Sequence, residues 1–159
     1  MEEAEYTCCF TGHRPEKLTR SELDIRIDLE TEIQNAIADG FTTFVTGMAK
    51  GVDIWAAEIV LQMRDEGCPI QLICAVPYEG VESRWAAEWQ QRYRAVLQSA
   101  DEIKYVCSRR CRGGYHIRNR WMIDRSSRVI AVYNGHPGGT KGTLDYAARL
   151  GLSVHLVEG

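Results

Sequence analysis

Residues 41–77 read FTTFVTGMAKGVDIWAAEIVLQMRDEGCPIQLICAVP, and their pattern decides the fold. Phe41–Thr46 is β-branched and aromatic, as a strand requires. Thr46-Gly47-Met48-Ala49-Lys50-Gly51-Val52-Asp53 follows as a glycine-bearing loop. Val52–Glu66 then has Val52, Trp55, Ile59 and Met63 at helical spacing, and Gly67 and Pro69 stop it. Ile70–Val76 is almost continuously apolar, the mark of a strand buried on both faces. Strand, helix and strand at these lengths make a βαβ unit, whose crossover is right-handed and whose strands are parallel.

The same alternation extends to both sides. Upstream, Tyr6–Thr11 is an apolar strand ending at Gly12. Ser21 caps a helix running to about Asp39, with Leu23, Ile27, Ile33 and Ile37 along one side and Gly40 at its end. Downstream, Val81–Gln98 reads as an amphipathic helix with Trp85, Trp89 and Tyr93 spaced at four, and Glu102–Val106 as a short strand. Tyr115–Ser126 reads as a helix, Val129–Tyr133 as a strand, Thr140–Leu150 as a helix ended by Gly151, and Leu152–Val157 as the last strand. The expected fold is α/β: a single Rossmann-like three-layer α/β/α domain over residues 1–159 with a mostly parallel sheet.

Composition agrees. The 159 residues are 45% hydrophobic and 26% charged, which excludes collagen-like, low-complexity and wholly disordered chains. No apolar run approaches the ~18 residues of a membrane span. Met1–Glu5 is acidic where a signal peptide is basic, so a cytoplasmic location without membrane contact is expected. The net charge of −3 argues against a protein that coats nucleic acid, although the charge is unevenly placed. Residues 1–40 hold ten acids and four Lys/Arg, whereas residues 104–128 hold eight Lys/Arg and one acid, Asp124. That basic stretch is either a solvated surface or a phosphate-facing one. The six cysteines match no zinc or redox spacing, so reduced thiols and no metal are expected.

In an open α/β sheet, ligands bind beyond the carboxyl ends of the strands. The first strand is followed by Gly12, His13 and Arg14, the second by Thr46, Gly47, Met48, Ala49, Gly51 and Asp53, and the third by Pro77. The Val129–Tyr133 strand is followed by Asn134, Gly138, Gly139, Thr140, Gly142 and Thr143. Glycine lets a ligand approach the main chain, and free N–H groups at the next helix start attract anions. The two glycine loops are tight turns or, together with Thr46, Asp53, Thr140 and Thr143, a phosphate-and-sugar site. Asp53 is either a dipole-favoured first-turn residue or a partner for a ribose hydroxyl. Arg118 and Asn119 lie in the basic stretch, where arginine suits phosphate, but Arg118 and Arg120 cannot both face one way on a helix. Trp55, Trp85, Trp89, Tyr93 and Trp121 read as core and sheet-covering residues, with base-stacking as the alternative. No nucleophile motif is present, and Asp53, Glu58 and Asp145 are the weak candidates for acid–base work.

Phe10–Leu18, Thr46–Glu58, Arg118–Ser126 and Gly138–Thr143 together resemble the YpsA-like branch of the SLOG superfamily, which also holds the DprA recombination mediators and the Lonely Guy phosphoribohydrolases. The resemblance covers nearly the whole chain. It implies a Rossmann-like domain that binds a nucleotide or an NAD- or ADP-ribose-like derivative, as a sensor or accessory protein. Similarity to DprA lies in Thr46–Asp53 and implies single-stranded DNA binding as an alternative. Similarity to Lonely Guy proteins lies in Pro137-Gly138-Gly139 and Gly142-Thr143, and implies nucleotide N-glycosidic hydrolysis as another. The Lonely Guy spacing is not kept: one extra residue precedes Gly142, and Tyr146 stands where that family has glutamate. Expected partners are a small-molecule nucleotide, with single-stranded nucleic acid and a second copy of the chain as alternatives.

Overall fold

The computed structural model describes residues 2–159. After a short helix α1 (Glu2–Glu5), the elements alternate: β1 (Thr7–Gly12), α2 (Glu22–Ala38), β2 (Thr43–Thr46), α3 (Val52–Asp65), β3 (Gln71–Val76), α4 (Ala87–Ser99), β4 (Glu102–Tyr105), α5 (Gly114–Asp124), β5 (Arg128–Tyr133), α6 (Gly139–Arg149) and β6 (Ser153–Glu158). All pairings are parallel, in the order β4-β3-β2-β1-β5-β6. The sheet is therefore wholly parallel, and the fold is the Rossmann-like three-layer α/β/α sandwich expected.

Alternate strand residues serve opposite faces, as the period of two requires. Phe10, Phe44 and Leu72 pack under α2, α3 and α4 with Leu29, Ile54, Val60 and Val96. Cys9, Val45, Ala75 and Val129 pack under α5 and α6 with Met122, Ile123 and Ala147. Burial on both faces explains the unbroken apolar strands. Ser21 does cap α2, its hydroxyl accepting from the Asp24 N–H at 3.2 Å.

Three expectations need correction. The buried stripe of α2 is Ile25, Leu29, Ile33 and Ala36, while Leu23 and Ile27 are 69% and 55% exposed. Both stripes have helical spacing, and only packing against the sheet selects one. The helix expected from Val81 begins at Ala87, so Trp85 lies in the preceding loop. That loop is held by Gln90, whose Nε2 donates to the carbonyls of Glu82, Ser83 and Trp85 at 3.1–3.2 Å. Finally, Cys107 and Cys111 are joined as a disulfide, where six reduced cysteines were expected. The turn between them brings their Cα atoms to 6.5 Å, within bridging range. Cys8, Cys9 and Cys74 are buried strand thiols as expected.

Among the described residues, no helix is long and apolar enough to cross a membrane.

Candidate functional site

The strand order places a switch point between β1 and β5. From β1 the chain leaves through α2 on one face; from β5 it leaves through α6 on the other. The carboxyl ends of these neighbouring strands therefore open a crevice between diverging connections. A cleft of about 540 Å³ lies there, lined by Gly12, His13, Arg14, Lys17, Ala49, Asp53, Tyr115, His116, Arg118, Asn119, Asn134, His136 and Gly138–Thr140. A larger hollow of about 670 Å³ lies at the opposite, amino edge of the sheet. There Gln71 and Thr43 already bond to each other at 3.0 Å, and no glycine loop reaches it.

The loop after β2 is built from its own polar groups. The Thr46 hydroxyl donates to the Asp53 carbonyl at 2.8 Å and accepts from the Met48 N–H at 3.4 Å. Asp53 Oδ2 accepts from the Ala49 N–H at 3.2 Å. Met48 has φ of 61° and its side chain is buried, an uncommon conformation for a residue with a Cβ. Gly47 is required by close approach. A Cβ there would lie 2.8 Å from Arg118 Nη1 and 2.9 Å from Asp53 Oδ2.

Asp53 and Arg118 are thus both buried against one glycine. The Arg118 guanidinium donates to the Gly47 carbonyl through Nη1, and to Asn119 Oδ1 at 2.7 Å through Nε. Burial pushes the Asp53 carboxyl up to about 6, opposed by Arg118 and by the Ala49 N–H. Burial likewise lowers Arg118. Arg118 therefore holds the loop from beneath. Arg120, two residues on, points elsewhere and lies over the Tyr146 ring at 4.7 Å, as helical geometry requires.

His13 ties the two sides of the crevice together. Its Nε2 accepts from the Asn134 N–H at 3.1 Å, so in the neutral ring the proton sits on Nδ1, 3.5 Å from the Thr140 hydroxyl. The ring stacks on Tyr133. Burial, with Lys17 and His136 nearby, lowers its pKa and keeps the imidazole neutral. Asn134 completes the arrangement, donating to the Lys17 carbonyl and accepting from the His136 N–H.

The α6 entrance is open. Gly138, with φ of 150°, precedes the helix without a side-chain cap. A Cβ on Gly138, Gly139 or Gly142 would meet nothing within 4 Å. The first-turn N–H groups of a helix have no intrahelical partner and suit an anion, and Gly138, Gly139 and Thr140 bring the start of α6 to the cleft wall. The Thr143 hydroxyl is spent on the Gly139 carbonyl at 3.0 Å.

Of the sequence-predicted residues, Gly12, His13, Arg14, Ala49, Asp53, Arg118, Asn119, Asn134, Gly138, Gly139 and Thr140 line this cleft. Met48 and Pro77 line an adjoining cavity, and Gly142 and Thr143 a hollow between α5 and α6 that shares His116, Asn119, Gly138 and Gly139 with the cleft. Thr46, Gly47 and Gly51 shape the loop beneath. Two acid–base candidates lie elsewhere. Glu58 is bound by Arg26 at 2.7 Å and by Arg92 at 2.6 Å on the helical face. Asp145 pairs with Lys141 at 2.9 Å on exposed α6. Sequence reasoning missed Tyr115 and His116 as cleft residues. Their position at the start of a basic helix was the available signal.

The chain is 26% identical over 140 residues to a UPF0398 protein of Oceanobacillus iheyensis, covering 82% of this chain and 76% of that one. It is 33% identical over 125 residues to the SPbeta prophage-derived protein YoqJ of Bacillus subtilis, covering 71% and 73%. Among solved structures it is similar to DprA of Streptococcus pneumoniae, with a TM-score of 0.70 at 19% identity over 98% of this chain. It is also similar to DprA of Helicobacter pylori, with a TM-score of 0.65 at 18% identity over 96% of this chain. The chain spans 51% and 66% of those two proteins, and the likeness is one of fold. The family model of the YpsA (YspA SLOG) group matches residues 8–151, the span that holds every loop of the cleft, and the chain belongs to that family.

Proposed function

We propose that the chain binds a nucleotide, or a nucleotide derivative of the NAD or ADP-ribose kind, in the switch-point cleft, as a cytoplasmic sensor or accessory protein. The observation that carries this reading is the uncapped, unobstructed entrance of α6 opening onto a cleft that also holds Arg14 and Lys17. Helix-start N–H groups and two cations suit a phosphate, and the polar walls suit a sugar. The cleft carboxyl, Asp53, is already engaged by the Ala49 N–H, and no second carboxyl stands beside it among the described lining residues. This arrangement favours binding over N-glycosidic hydrolysis, which needs a positioned acid and base.

A thermal-shift panel of AMP, ADP-ribose and NAD tests the reading. A ligand at 100 times its Kd stabilises the fold by about 2.7 kcal/mol. For a chain of this length that raises Tm by roughly 5–10 °C. A panel that leaves Tm unmoved refutes it.

One observation favours a second reading, single-stranded DNA. Arg110 and Arg112 line the rim beside Tyr78 and Tyr115, combining cations with aromatic rings. DprA of Helicobacter pylori, similar in fold, binds single-stranded DNA. Here a labelled oligonucleotide is expected to bind with steep salt dependence, and Arg110→Ala to reduce that slope by about one unit. No anisotropy change at low salt removes this reading.

A further inference from the structure

The main cleft does not end at the α6 entrance. Arg14, Ala49, Tyr115 and Arg118 are common to it and to a second cavity of about 200 Å³ beyond the ends of β2 and β3. That second lobe is built differently. Met48, Pro77 and Val81 give it apolar walls, and all three are buried. Trp85 and Tyr115 add two aromatic rings, both partly exposed and therefore reachable. Lys50 and Arg14 bring cations to it.

The rings are held in place before any ligand arrives. Trp85 meets the buried Tyr93 edge-on, with centroids 5.3 Å apart and planes at 86°. Its loop is pinned by the three Gln90 hydrogen bonds. Lys50 Nζ lies 5.8 Å from the Trp85 ring, and the Arg118 guanidinium 5.6 Å from the Tyr115 ring. Fixed aromatic surface, joined to an anion-binding entrance, suits a flat heteroaromatic group attached to a phosphate.

Resting on the nucleotide reading above, we infer that this lobe is a base subsite: the nucleobase stacks against Trp85 and Tyr115 while the phosphate lies at the α6 entrance. The ligand class is thereby narrowed to molecules that carry a base and a phosphate together. A sugar phosphate alone fills only half the site.

Isothermal titration with AMP, ADP-ribose and ribose 5-phosphate tests the inference, on the intact chain and on Trp85→Ala, Trp85→Phe and Tyr115→Leu. The tighter of AMP and ADP-ribose is expected to bind at least about 5-fold better than ribose 5-phosphate, the lower end of what base–aromatic stacking is worth. Trp85→Ala and Tyr115→Leu should each erase most of that advantage while ribose 5-phosphate binding stays the same, and Trp85→Phe should keep it. Tyr115 is an exposed side chain, so its variant reads the subsite even if Trp85→Ala unfolds. If ribose 5-phosphate binds as tightly as the nucleotides, or both aromatic variants bind them normally, the base subsite is wrong and the nucleotide reading survives. If the intact chain binds none of AMP, ADP-ribose and the NAD of the thermal-shift panel, both fall together. If the variants lose only a labelled oligonucleotide and keep AMP, the lobe belongs to nucleic acid and the inference is overturned.

Discussion

Gly139→Asp places a negative charge where the phosphate of the proposed ligand sits, at almost no structural cost. Gly139 is the first residue of α6, its backbone is outside the left-handed region, and a Cβ would meet nothing within 4 Å. An acid in the first turn of a helix is favourable by about 0.3–1 kcal/mol, so the variant should be as stable as the parent or slightly more so. Binding should respond in the opposite direction. Two like charges about 4 Å apart repel by about 1 kcal/mol in bulk water and about 4 kcal/mol at a protein surface of effective dielectric 20. The cleft is open to solvent, so a cost of roughly 1–3 kcal/mol is expected, which is roughly a 5- to 150-fold rise in Kd. Gly139→Asn has the same shape without the charge, and should lose much less. Gly40→Asp is the distant control: its φ of 99° makes the substitution cost about 1 kcal/mol of backbone strain, with affinity unchanged. Titration calorimetry with AMP or ADP-ribose gives Kd, and thermal circular dichroism gives stability. A Gly139→Asp protein that is fully folded and binds with parental affinity refutes the placement of the phosphate at α6.

Gly12→Ala should cost about 1–3 kcal/mol in urea unfolding, because the new methyl would stand 2.6 Å from the Val52 side chain, which anchors α3 against β1. His13 has a lowered pKa, so the unfolded chain takes up its proton first. The His13 contribution is complete above pH 6.5 and is lost as pH falls below it. The pH-dependence of stability should accordingly be shallower in His13→Gln between pH 6.5 and 5, and an unchanged slope would show that the imidazole is not held neutral. Asp53 acts with the opposite sign. Its folded value near 6 lies above its ordinary 3.8, so the folded chain binds the proton more tightly and stability falls as pH rises through that window. Asp53→Asn should remove that fall in urea midpoints measured from pH 4 to pH 6, and a slope identical to the parent's would contradict burial of the carboxyl.

The alternation of the fold was legible in residues 41–77 alone, because hydrophobic period and chain-breaking residues act over a few neighbours. Fully apolar strands such as Ile70–Val76 implied burial on both faces, hence a parallel sheet. The glycine loops after β1, β2 and β5 could be assigned to one edge, because every strand of a parallel sheet ends on the same side. Strand order could not be read, since it depends on which strands meet across long stretches of chain. Yet that order creates the switch point between β1 and β5, and so decides where the loops form a cleft. Helix α2 shows the same limit at smaller scale: Leu23 and Ile27 are spaced as well as Ile25 and Leu29, and only the docked sheet buries the second pair. Arg118 looked like a phosphate ligand by residue type, but its burial under Gly47 makes it a support for the loop. Glu58 looked like an available acid, but α2 and α4 bring Arg26 and Arg92 onto it. Trp85 looked like helix core, yet its loop turns it toward a cavity. In each case local sequence fixed the residue's character, whereas its partners come from segments tens of residues away, and only long-range packing brings them together.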